Sequence, residues 1–85
     1  MILEAQRYLA FLRSLQSDEA LRLLMLVFSV YLAPVPDGEH IFDYGSLGTP
    51  DFRYAFDGEF RIDFFVLSPE TIVLIGATRA QRPPP

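Results

Sequence analysis

Apolar and polar positions alternate with two different periods along the chain, and the change of period divides it. Over residues 2–16 (ILEAQRYLAFLRSLQ), Ile2, Ala5, Leu9, Leu12 and Leu15 recur every three or four residues, with Glu4, Arg7, Ser14 and Gln16 largely on the other side. That spacing predicts an amphipathic helix. Ser17 is a suitable N-cap for a second helix, and Asp18 and Glu19 place negative charge in its first turn, where it complements the helix dipole. The second helix, DEALRLLMLVFSVYLA, is apolar on nearly all sides after Arg22. It is therefore expected between the first helix and a sheet, with Leu24 and Phe28 in the core. Pro34 and Pro36 stop it, and PVPDG reads as a tight turn.

Beyond that turn the pattern is strand-like: HIFDY (40–44), a loop GSLGTP (45–50), then DFRYAF, EFRIDFFVL and ETIVLIGATR. Asp57-Gly58 signals a hairpin, but a strict two-residue loop would set Phe52 against Asp63 and Tyr54 against Arg61. One more loop residue pairs Phe56 with Phe60, Tyr54 with Ile62 and Phe52 with Phe64 on the face expected under the helices, and Arg53 with Asp63 on the other. A second turn around Ser68-Pro69-Glu70 returns the chain as Thr71–Thr78. The predicted architecture is α+β, an N-terminal helical hairpin packed on a three- to four-stranded antiparallel β-meander. Residues 1–80 form a single domain and the proline-rich tail 81–85 is flexible.

Composition narrows the function classes. The chain has 85 residues, 51% of them apolar, including eight Phe and four Tyr, which excludes a disordered chain. There is no cysteine, so neither a disulfide framework nor a thiolate site is available, and cytoplasm is the default compartment. All seven basic residues are arginine, as expected from a high-GC genome of bacterial or phage type. The net charge of −4 makes nucleic acid an improbable main partner, since phosphate binding is dominated by basic side chains. Leu23 to Ala33, eleven residues broken by Ser29, falls short of the roughly 20 apolar residues that a membrane span requires.

No catalytic constellation stands out. Gly45-x-x-Gly48 lacks the strand-turn-helix context of a phosphate loop. His40 is the sole histidine; a strand would point it away from Asp43, so a solvent-exposed turn residue is the favoured reading over a general base. Asp37, Glu39, Asp43, Asp51, Asp57 and Glu59 match no calcium-loop spacing and suit solvated turns. No cofactor or metal is expected. The second sheet face draws attention instead, because Phe65 and half of Ile72–Ile75 share it with charged residues, and exposed apolar patches mark interfaces. Arg53, Arg61, Asp63, Phe65 and Arg79 are the candidate partner-binding residues, for a protein partner or for self-association as a dimer.

The order helix, helix, meander, together with FRYAFDGEFRIDFFVLSPETIVLIGATR, resembles the C-terminal half of RelE/ParE-type toxins of bacterial toxin–antitoxin pairs. In that family an aromatic-Arg-aliphatic strand, here Phe60-Arg61-Ile62, precedes a turn and an apolar strand ending in basic residues, here Ile72 to Arg79. The family's usual first strand before the helices is missing from the predicted elements. The resemblance implies that ribonuclease members rely on basic and aromatic or histidine side chains near the C-terminus, of which Arg61 and Arg79 have counterparts here, so that a member without nuclease activity is implied. Two functions are carried forward: a non-enzymatic protein-binding module, accessory or inhibitory, acting through its sheet face; and, as the alternative, a divergent RelE/ParE-type toxin.

Overall fold

The sheet is organised by the alternation within FRIDFFVLS. Phe60, Ile62 and Phe64 are fully buried, whereas Arg61, Asp63 and Phe65 between them are half-buried on the opposite face. The computed structural model describes residues 1–37, 39–43 and 52–79, so the loop 45–50, Tyr44 and the tail 81–85 lie outside the described residues. In chain order the elements are β1 (Ile2–Glu4), α1 (Gln6–Arg13), α2 (Ser17–Leu32), β2 (Ile41–Asp43), β3 (Phe52–Phe56), β4 (Phe60–Ser68) and β5 (Thr71–Arg79). They form one five-stranded sheet in the order β1-β5-β4-β3-β2, with both helices on one face.

The α+β class holds, with five strands rather than three or four and a mixed sheet rather than an antiparallel one. The difference lies at the N-terminus. Ile2, Leu3 and Glu4 do not open the first helix but pair in parallel with Ile72, Val73 and Leu74. The Ala5 N–H donates to the Leu74 carbonyl at 2.9 Å, and the Ile72 N–H donates to the Met1 carbonyl at 3.1 Å. A three-residue segment has too few positions to show its own period, and Ile2 and Ala5 happen to extend the helical spacing of α1. What decides its conformation is the far side of β5, whose backbone groups would otherwise lack partners. The first strand that the resemblance seemed to lack is therefore present.

α2 begins one residue earlier than its serine suggests. Gln16 is the N-cap, its N–H donates to Glu19 Oε1 at 3.2 Å, and the two side chains complete a capping box. The helix buries Leu23, Leu26, Val27 and Val30 against Ile41, Ala55, Phe60, Ile62 and Phe64. Tyr8 of α1 completes the core with Ile72, Leu74 and Ala77 of β5. Leu24 and Phe28, expected inside, are instead 37% and 58% exposed. A helix apolar on all sides gives no sign of which side is inward, and here the inner row is the one led by Leu23.

The hairpin register also differs by one. Phe56 pairs with Arg61, Ala55 with Ile62, Tyr54 with Asp63, Arg53 with Phe64 and Phe52 with Phe65. The connection is longer because Asp57 folds over it: its Oδ1 accepts from the N–H groups of Glu59 (2.9 Å) and Phe60 (2.8 Å), and Gly58 takes φ 92°. A shift of one exchanges the faces of a strand. Phe52, Tyr54 and Phe56 thus leave the helix side, where Arg53 and Ala55 replace them, and the expected Arg53–Asp63 pair does not form.

Two changes test this packing. Leu23→Ala should cost about 2–5 kcal/mol and endanger so small a domain, while Leu24→Ala should cost roughly half as much or less, as measured by denaturant unfolding. Tyr8 is completely buried and its hydroxyl has no hydrogen-bond partner among the described residues. Burial, helped by the Glu4 charge, raises its pKa from 10.0 to about 12. The folded state therefore favours the neutral phenol. Its contribution is complete below pH 10, declines as the unfolded chain ionises, and is lost as pH rises through about 12. Tyr8→Phe should remove that alkaline loss and stabilise the protein by about 1 kcal/mol at neutral pH. An unchanged alkaline profile would place Tyr8 in contact with water.

Candidate functional site

The face of the sheet away from the helices is built from alternate residues of four strands: Leu3 on β1, Val73 on β5, Arg61, Asp63 and Phe65 on β4, and Phe52, Tyr54 and Phe56 on β3. Phe65 is flanked by Phe52 and Val73, and Leu3 continues the apolar row beyond Val73. Phe42 of β2 pairs with Tyr54 and stacks on it, with ring centroids 5.3 Å apart and 23° between planes. Arg61 lies across the other side of this cluster, its Cζ 4.4 Å from the Tyr54 ring centroid. Its Nη2 donates to Asp63 Oδ1 at 3.0 Å and its Nε to the same oxygen at 3.2 Å. The guanidinium is thereby held flat on the sheet by one aromatic ring and one carboxylate.

Three of the five residues selected from sequence are brought together here: Arg61, Asp63 and Phe65. Arg53 and Arg79 are not. Arg53 stands on the helix side, where its Nη1 donates to the Pro34 carbonyl at 2.5 Å and its buried Nε has no hydrogen-bond partner among the described residues. Arg79 is opposite Phe60, 5.7 Å from its ring, and forms an ion pair with Glu19 Oε2 at 2.6 Å. That hydrogen bond, followed by the one from the Gln16 N–H, lowers the Glu19 pKa. A second ion pair, Arg22 with Glu59, ties α2 to the β3–β4 turn. Arg53 and Arg79 therefore fasten the helices to the sheet.

Tyr54 and Phe42 were missed as members of this face, because the hairpin register put Tyr54 under the helices and Phe42 carries no charge pattern of its own. The Asp57 turn was the signal, since an Asp that caps the next two or three N–H groups lengthens a hairpin connection. Just before β2, where its carbonyl accepts from the Phe56 N–H, His40 is exposed and its Nδ1 is 3.7 Å from Asp37 Oδ2. Asp37 is itself engaged in the turn: Oδ1 accepts from the N–H groups of Ile41, His40 and Glu39, which lowers its pKa to about 2. The carboxylate is organised to shape a loop. Among the described residues, no group of histidine, aspartate or glutamate side chains is placed to hold a metal ion, and no helix is long and apolar enough to cross a membrane.

No family model matches the chain, and no curated protein matches its sequence. The crystal structure of the isolated E. coli RelE toxin superimposes with a TM-score of 0.73 at 19% identity, covering 98% of this chain and 86% of RelE. The likeness takes in β1 and both helices as well as the C-terminal half from which the resemblance was first read. It overturns the expectation of a generic non-enzymatic binding module in favour of the alternative held beside it. The fold of this chain is that of the RelE-like toxins.

Proposed function

We propose that the chain is the toxin of a bacterial toxin–antitoxin pair, acting in the cytoplasm and held inactive there by a protein antitoxin. The observation that carries this reading is the agreement with RelE over 98% of the chain, including the short parallel strand β1 beside β5. The open sheet face is the surface assigned to the target, with Arg61, Asp63 and Phe65 as contact residues and the Phe42–Tyr54 stack beside them. Arg53 and Arg79 support the fold from the other side.

Arrest by this toxin is proposed to proceed without RNA cleavage. Binding to phosphate needs a surplus of positive charge, whereas Arg61 lies against the Asp63 carboxylate and the chain carries a net charge of −4. A target recognised through an apolar row with one charge-paired arginine fits this face better than an RNA backbone does.

Inducible expression in a bacterial host should arrest growth, and co-expression of the small reading frame adjacent to its gene should relieve the arrest. Arg61→Ala and Phe65→Ser should each restore growth while leaving the circular dichroism spectrum and melting temperature of the purified protein nearly unchanged. Transcripts should stay intact during the arrest. Normal growth in cells accumulating folded protein would sink the toxin assignment, and fragmentation of mRNA on induction would sink the non-nuclease mode alone.

A further inference from the structure

α2 has a second apolar row, which none of the described residues buries. Leu21, Met25, Phe28 and Leu32 are 60%, 64%, 58% and 82% exposed, and Leu24 beside them is 37% exposed. At 100° per residue these five positions fall within about a third of the helix circumference, directly opposite the buried row Leu23, Leu26, Val27 and Val30. Solvent-facing helix sides are normally charged. Between Leu21 and Leu32 the single charged residue is Arg22, which stands off the row and is paired with Glu59.

The row is also symmetric. Its spacing is four, three, four, so it reads the same from either end about a midpoint between Leu26 and Val27. A second α2 running antiparallel across it would set Leu21 against Leu32 and Met25 against Phe28, and each contact would occur twice. Such self-complementarity is what a two-fold axis requires and gives no advantage to an unrelated helix. The Met25–Phe28 contacts would place a flexible thioether on an aromatic ring, a favourable pairing. Area points the same way: with Val35, which is 65% exposed just past the helix, the row presents roughly 600 Å² per copy. Complete burial of it in two copies would remove roughly 1,200 Å² from water, the lower edge of the range for specific interfaces.

We infer that this protein forms a two-fold dimer through the outer face of α2, with the open sheet faces of both copies left accessible. The inference does not rest on the toxin assignment.

Sedimentation velocity of the full chain over about a hundredfold range of concentration should show a monomer–dimer equilibrium, with a melting temperature that rises with concentration. Met25→Lys and Phe28→Glu should each weaken association roughly a hundredfold or more, because each sets two unpaired charges in an apolar contact, without changing the circular dichroism spectrum. Mixing these two variants should restore a heterodimer, since Lys and Glu then meet once across the axis and Met25 still meets Phe28. A chain that stays monomeric throughout would overturn the inference. So would a dimer indifferent to both substitutions, which would place the interface elsewhere, for example on the open sheet. Failure of the mixture to associate would exclude the antiparallel register.

Discussion

The packing of Leu23, Leu26, Val27 and Val30 onto Phe60, Ile62 and Phe64 is the contact on which the other features depend. It joins the longest helix to a central strand and so fixes which face of the sheet is covered. Once β4 is oriented, the hairpin register orients β3, and the bulge at Ile75, unpaired between Leu74 and Gly76, lets β5 keep Leu74 and Ala77 both in the core. Two ion pairs at the start of α2, Arg22–Glu59 and Glu19–Arg79, hold that end of the helix over the β3–β4 turn and the end of β5. Being largely exposed they add little to stability, but they set position.

The same contact separates the two surfaces that remain. Together with α1, α2 covers one side of the sheet and leaves Arg61, Asp63, Phe65, Phe52 and Tyr54 facing outward on the other, and by turning Leu23 inward it turns Met25 and Phe28 outward. The two exposed apolar regions lie on opposite sides of the molecule. One is mixed, with an arginine organised by a carboxylate and an aromatic ring, as suits recognition of a particular target. The other is uniformly apolar and internally symmetric, as suits a copy of itself.

Much of this was legible in the sequence, and the misses share a cause. Helix α2 and strands β3 to β5 follow from period and composition, because each involves five or more residues of one pattern, and the alternation along β4 puts Arg61, Asp63 and Phe65 on the open face. β1 was read as helix because three residues cannot express a period, and its conformation is set by a strand some seventy residues away. The inward side of α2 was misjudged because hydrophobicity on all sides cancels the moment that would orient it. Tyr54 and Arg53 exchanged faces because a single side chain, Asp57, lengthened a turn. Arg79 was read as a recognition residue from its place at the end of a strand, and its partner in the structure is Glu19 of α2. The chemistry of a residue was readable, whereas its partner was not.

The parallel pairing of β1 with β5 has a kinetic consequence. Ile2 must find Ile72, and α1 lies over β5, so the first thirteen residues gain little until the last strand is in place. Contacts of such long sequence separation require large loops to close before they contribute, which slows folding relative to a chain built from neighbouring hairpins. The central hairpins and α2 are able to assemble first, leaving β1 and α1 to dock on β5 as one late, cooperative step. Until that step, β5 carries an open edge on which a second chain could add a strand, and the protein is most exposed to misassociation at the moment just before it closes.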